Sequence, residues 1–273
     1  MTALKKELKN KLTEKQLALV PSSYDIVGDI LIFADFPKEL KNKEKLVGNI
    51  LLKLHKNLKV ICKKTKKYSG KFRLPKLKII AGEKRKETEY KENNTRLKLN
   101  VEKVYFSPRS VTERKRIAGL VKSNESILVM FSGCAVYPCV IAKNAKPKEI
   151  YAVEINPTAH KYAEVNLKLN KITNVKLFCK DVKKIVPKLK KRFDRVLMPL
   201  PKTAEHFLDT ALKAVKKNGT IHLYTFLEEE NTTKEFAKKH LKKYIKNPKI
   251  LNITKCGQFS PRVFRVCIDI KVL

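Results

Sequence analysis

From about residue 124 to the end, short apolar runs alternate with stretches of helical periodicity, and no other feature limits the fold of this chain as much. Ser126–Phe131, Glu149–Glu154, Asn174–Cys179, Phe193–Met198 and Thr220–Phe226 read as five strands. Val136–Asn144, Pro157–Asn170 and Thr203–Lys216 read as helices between them, the last stopped by Asn218-Gly219. Parallel neighbours need a crossover, so strands alternating with single helices predict an α/β architecture with a parallel sheet wrapped by helices. A helix near Thr232–Lys246 then leads to Ile250–Thr254 and Val263–Val272, an antiparallel pair joined across Gly257–Pro261.

The first hundred residues have a different texture. Leu4, Leu8, Leu12 and Leu19 lie near helical spacing, so residues 1–20 predict a short amphipathic helix that Pro21-Ser22-Ser23 ends. Tyr24–Phe36 reads as two short strands around Gly28-Asp29, and Lys43–His55 as a helix. Lys59–Lys63, Leu77–Ile80, Glu87–Glu92 and Thr95–Asn100 read as further strands, with Gly70, Gly82 and Asn93-Asn94 at turns. The expected organisation is an N-terminal extension over 1–21, a small α+β domain over 22–103 and the α/β domain over 104–273. Phe106–Ile117 is the segment that joins the two domains.

With 273 residues, 43% of them apolar, the chain can bury a sizeable core. Its 62 Lys+Arg against 26 Asp+Glu give a net charge of +36, which repels itself unless an anionic partner is near. Nucleic acid is the obvious partner, because each neutralised phosphate releases counterions. A Lys-biased proteome is the bland explanation, and the lysines are too evenly spread to map a face. The six cysteines form no C-x-x-C pair, and no His lies at zinc-finger spacing, so no metal site is expected. Most lie in apolar runs and read as reduced thiols of an intracellular protein. No signal peptide opens the chain, and no stretch approaches the length of a membrane span. A cytoplasmic monomer is expected.

In an open α/β sheet, ligands bind beyond the carboxyl ends of the strands. The first strand ends at Phe131-Ser132-Gly133, where a glycine permits close backbone approach. The second ends at Glu154-Ile155, and a carboxylate there can accept from both ribose hydroxyls. The third ends at Asp181-Val182, where a carboxylate can accept from an adenine amino group. Together these point to an adenosyl cofactor. Taken singly, each is as well explained by a helix cap or a solvated loop, and the fold can persist with its ligand lost.

Several strings in linked order resemble the archaeal and eukaryotic tRNA guanosine-37 methyltransferase family, which includes the wyosine-pathway enzymes. They are SYDIVGDILIF, LLKLHKNLKVICKK, GKFRLPKLKIIAG, YFSPRSVTERKRI, YAVEINPTAHKYAEVNLKLNK and VLMPLPKTAEHFLDTAL, and the resemblance covers roughly residues 22–273. It implies a class I, Rossmann-like S-adenosylmethionine-dependent domain after a small RNA-facing domain, and the closing antiparallel pair suits that fold. Many members carry a further N-terminal module that grips the tRNA elbow; with about 20 residues before the match, that module is expected to be absent here.

Carried over by position, Arg73 matches the residue that stabilises charge on guanine O6, and Glu113 the general base. Arg114, or else Arg116, matches the approach to the cofactor. Ser132 and Gly133, Glu154-Ile155, Asp181-Val182 and Pro199 match the cofactor loops; Arg109, Pro201 and Lys202 match contacts to the tRNA anticodon loop. Guanine N1 is protonated at neutral pH, so a carboxylate that takes the proton and a guanidinium that holds the oxyanion suit methylation there. On residue type alone, Arg73 equally suits a phosphate contact, and Glu113 an ion pair with Arg114 or Lys115.

Two departures stand out. The family has an Asn where this chain has Pro199, and its first loop is usually Gly-Val-Gly-Pro-Phe rather than Gly133–Tyr137. They open two alternatives for the target, a wyosine-type tricyclic base or a different orientation of guanine; transfer of the cofactor's aminocarboxypropyl group to a wyosine intermediate is a further alternative within the resemblance. A non-catalytic tRNA-binding protein is the alternative of another class; intact Glu154 and Asp181 speak against it.

Overall fold

In a computed structural model, the chain is described over residues 2–273, apart from the side chains of 67 and 68. It divides into two compact units: residues up to Lys91 with Arg96–Pro108, and Glu92–Thr95 with Arg109–Leu273.

In the first unit, β1 (Tyr24–Val27), β2 (Ile30–Phe33), β3 (Val60–Ser69) and β4 (Leu74–Gly82) form one sheet in chain order. The β2–β3 pair is parallel and its crossover contains α3 (Glu44–Leu54); the other two pairs are antiparallel. β5 (Glu87–Glu92) and β6 (Thr95–Asn100) form a separate two-stranded ribbon. Gly28 turns β1 into β2 at φ +58°, and a Cβ there would lie 2.2 Å from Thr88 Oγ1 and 2.3 Å from the Glu89 carbonyl oxygen, so only glycine fits. Val47, Ile50 and Leu51 of α3 pack with Leu31, Phe33 and Ile61 of the sheet.

The N-terminal segment departs from expectation. It is two helices, α1 (Ala3–Leu8) and α2 (Glu14–Leu19), because Thr13 starts a second one with a capping box closed by Gln16. Leu4, Leu8 and Leu12 are buried in the first unit's core, whereas Leu19 is exposed.

In the second unit, seven strands run in the order β12-β13-β11-β10-β7-β8-β9. They are β7 (Ser126–Met130), β8 (Glu149–Glu154), β9 (Val175–Cys179), β10 (Phe193–Met198), β11 (Val215–Glu228), β12 (Lys249–Ser260) and β13 (Val263–Lys271). Only β13 runs antiparallel to its neighbours, β11 and β12. All of β7 is buried, as a central parallel strand covered on both faces must be. The helices are α4 (Val111–Leu120), α5 (Val136–Asn144), α6 (Pro157–Leu169), α7 (Val182–Ile185), α8 (Leu208–Ala214) and α9 (Lys234–Leu241). Asn156 caps α6 by accepting from the Thr158 and Ala159 amides, with Pro157 in the first turn. The order of strands reverses between β7 and β10, which puts the crevice at their carboxyl ends.

Four local expectations shift. The segment joining the domains contains α4, unforeseen because Glu113-Arg114-Lys115-Arg116 breaks the apolar periodicity. The helix expected over Thr203–Lys216 is a 3-10 turn at Ala204–Phe207 followed by α8; Val215 already pairs with Phe193. The helix expected over Thr232–Lys246 spans Lys234–Leu241 alone. β12 runs on through Gly257 to Ser260, with register irregularities between Lys255 and Ser260.

Candidate active site

The loop after β7 curls tightly, with positive φ at Phe131 (58°), Gly133 (59°) and Ala135 (63°). The Ser132 amide donates to the Val153 carbonyl at 3.0 Å, and Asn166 of α6 holds the Cys134 carbonyl at 2.9 Å. Glu154 accepts from the Gly133 amide and from the Asn156 amide, both at 2.7 Å. Burial pushes this carboxyl up, while the Asn156, Gly133 and Ile155 amides pull it down. Ser132 is buried, and its hydroxyl oxygen has no hydrogen-bond partner among the described residues. A buried, unpaired hydroxyl costs free energy unless a ligand completes it. At the end of β9, Asp181 caps α7 through the Lys183 amide at 2.8 Å, the bland reading of that residue, and Val182 is buried beside it. Across the crevice, Phe207 stacks edge-on against Phe131 at 4.9 Å and carries Lys183 5.0 Å above its ring.

Glu113 sits in a buried polar chain that sequence reading missed. Its Oε1 accepts from the Tyr224 hydroxyl at 2.7 Å and from Arg116 Nη2 at 2.8 Å, and its Oε2 from Arg116 Nε at 2.7 Å. Thus its ion partner is Arg116, not Arg114 or Lys115. The Tyr137 hydroxyl donates to Tyr224 at 3.0 Å. Beyond Arg116, Asp269 Oδ2 accepts from Nη1 at 2.7 Å, and His222 Nδ1 lies 2.6 Å from Asp269 Oδ1. His222 Nε2 is 2.6 Å from Arg195 Nη1, and Arg195 is paired with Glu125. A guanidinium only donates, so His222 accepts at Nε2 and carries its proton on Nδ1. Burial pushes the imidazole below its ordinary range, against the pull of Asp269. Burial opposes the Asp269 charge, but His222 and Arg116 hold its carboxyl well below the usual range. His222, Cys267 and Asp269 have ligand atoms within 4.8 Å of one another, yet Arg116 and Arg195 already face this cluster.

Arg114 goes elsewhere. Its guanidinium pairs through two nitrogens with Glu92, at side-chain exposures of 4% and 1%. Arg109 is exposed, as is Lys202; Pro199, Leu200 and Pro201 are half-buried in the turn after β10, where the Leu200 amide donates to Met198 at 2.8 Å. In the first unit, Arg73 holds φ +51° in the turn between β3 and β4, its amide bonded to Gly70. Partial burial pushes its guanidinium down from the ordinary value, and Tyr105 pulls it back up.

Strand order β12-β13-β11-β10-β7-β8-β9, with one antiparallel strand inserted beside β11 and acids at the ends of β8 and β9, defines a class I methyltransferase domain. The particular family follows from comparison: residues 88–253 match the model of the TRM5/TYW2 methyltransferase domain and residues 4–85 that of the TYW2 N-terminal domain, and the chain belongs to this family. It is 37% identical to the tRNA (guanine(37)-N(1))-methyltransferase Trm5b of Pyrococcus abyssi, over 93% of this chain and 76% of that one. It is also 37% identical to the tRNA (guanine(37)-N(1))/4-demethylwyosine(37)-methyltransferase Taw22 of Nanoarchaeum equitans, over 92% of this chain and all of that one. Among solved structures, the complex of aTrm5 with tRNALeu superposes with a TM-score of 0.84 at 31% identity, covering 98% of this chain and 77% of that one. Methanocaldococcus jannaschii TYW2 with AdoMet gives 0.67 at 27% identity, covering 91% and 98%.

Proposed function

We propose that this protein uses S-adenosylmethionine to methylate ring nitrogen 1 of guanosine 37, or a wyosine-type derivative of it, in the anticodon loop of tRNA. The observation that carries the reading is the cradle at the ends of β7, β8 and β9. Glu154 keeps acceptor capacity beyond its amide bonds, Asp181 has a second oxygen, and the buried Ser132 hydroxyl lacks a partner among the described residues. Those groups fit the ribose hydroxyls and adenine amino group of an adenosyl cofactor. Ile155, Val182 and Pro199 supply apolar walls, with Gly133 allowing close approach. When bound, the cofactor supplies an electrophilic methyl on its sulfonium sulfur.

Glu113 takes the proton from guanine N1, the role that the family resemblance implies. Arg116 and Tyr224 position its carboxylate, and Asp269 holds Arg116 in turn. Arg73, a partly desolvated guanidinium, balances charge on guanine O6. Arg109, Pro201 and Lys202 contact the RNA. A reducing, cytoplasmic compartment fits six free thiols, five of them buried. The test is mass spectrometry of nucleosides from unmodified tRNA and from tRNA carrying 4-demethylwyosine at position 37, each incubated with the protein and labelled cofactor: a labelled methyl on the base at position 37 is expected, and its absence from both tRNAs overturns the reading.

One alternative has specific support. Pro199 removes the amide side chain that the family places beside the target base, and the N-terminal match is to a TYW2 domain. Aminocarboxypropyl transfer to a wyosine intermediate would leave a heavier adduct that the same mass spectrum resolves.

A further inference from the structure

A groove of about 600 Å³ runs between the α7 side and α8 on the second unit, and the proposed cofactor cradle does not absorb it. Lys183, Lys190, Arg192, Lys213 and His206 line it, with Asp209 as the acid on its wall. Lys190, Arg192 and Lys213 are exposed, and none has an acidic partner among the described residues. Lys191, also on the wall, is already paired with Glu149. Concavity matters here: a cleft lined by one sign of charge focuses the field more than the same charges on a convex face. The groove starts at Lys183, two residues after Asp181, and reaches Arg192, just before β10 begins.

We infer that this groove carries the sugar-phosphate backbone of the substrate RNA away from the reacting base; the inference rests on the proposed tRNA reading. The wall formed by Val182–Ile185 and Val186–Leu189 is two short helical turns. At about 1.5–2 Å per residue that is roughly 12–16 Å. A sugar-phosphate backbone laid along a wall of that length passes only a few phosphates over it. Lys190 and Arg192, just past that wall, and Lys213 on α8 across the groove suit a few phosphates, and flexible lysines and an arginine can follow a backbone without reading its bases.

The test compares tRNA affinity across salt for the wild type, for Lys190→Gln/Arg192→Gln/Lys213→Gln, and for a control that removes equal charge from α9 and its end, Lys238→Gln/Lys239→Gln/Lys242→Gln. Each lost phosphate contact should flatten the log–log salt slope by about 0.9. The groove variant should therefore lose about 2–3 from the slope and roughly 100-fold in affinity near 0.15 M salt. The control should lose far less, and cofactor affinity should stay unchanged in both. Equal losses in groove and control variants overturn the inference while leaving the tRNA reading intact. A wild type that does not bind tRNA overturns that reading and the groove with it.

Discussion

Glu113, the proposed base, already has three hydrogen bonds on its carboxylate, from Tyr224 and twice from Arg116. Replacing it with Gln keeps the shape and removes the proton acceptor. Single-turnover rates of Glu113→Gln should drop by about two to four orders of magnitude, with tRNA and cofactor affinities little changed. A wild-type rate would show that another group takes the proton, or that the attacking atom carries none. Glu154→Ala removes the proposed ribose partner and also frees the Gly133 and Asn156 amides. Cofactor binding measured by calorimetry should weaken by about 1–3 kcal/mol; unchanged affinity would remove Glu154 from the site. His222 makes a pH prediction with a definite sign. Its folded pKa is depressed, so at mildly acidic pH the unfolded chain binds a proton that the folded chain refuses. Stability should therefore fall as pH drops through about 6.5, the unfolded value. The melting temperature of the wild type should decline from pH 7.5 to 5.5, and His222→Gln should flatten that stretch. Parallel curves would mean that the imidazole does not govern it.

At the scale of elements, α4 explains how two of four consecutive charged residues, Glu113 and Arg114, can be buried on a partly buried helix. Glu113 and Arg116 turn toward Tyr224 and Asp269, and Arg114 toward Glu92 at the end of β5. The Arg114–Glu92 pair is almost fully removed from water, so removing one partner strands a buried charge. Glu92→Gln should destabilise the second unit by about 3–5 kcal/mol in denaturant titration. Replacing both, as Glu92→Leu with Arg114→Met, should recover most of that loss. The double variant also decides what Arg114 does: cofactor affinity that survives in it removes Arg114 from the cofactor contacts, and affinity that is lost restores it.

For the whole molecule, 62 basic against 26 acidic side chains set the association physics. Binding to tRNA should weaken by orders of magnitude between about 50 and 200 mM salt, since each phosphate contact steepens the dependence. A flat profile in a filter-binding or anisotropy titration would count against an electrostatic interface of any kind. Basic side chains outnumber acidic ones more than two to one and are spread along the chain, so charge alone cannot map the RNA path. A concave wall such as the groove beside α8 concentrates it.

What the sequence determined by itself was whatever has a local period. Alternating apolar runs and helices located β7 to β11 and placed Glu154 and Asp181 at strand ends, because side-chain direction follows from spacing in a strand or helix. The split between α1 and α2 was not read, because the leucine spacing suggested one helix and hid the capping box that Thr13 and Gln16 form. The polar chain through Glu113, Arg116, Asp269, His222 and Arg195 was not legible, because its members come from α4, β13, β11 and β10 and meet only when the sheet assembles. Its one trace in the sequence was a histidine and an aspartate inside otherwise apolar strands, at 222 and 269, which burial without partners would forbid. Which charge answers which was decided by tertiary packing. Arg114 and Arg116 lie two apart on one helix and so point to different faces, one to Glu92 and the other to Glu113 and Asp269.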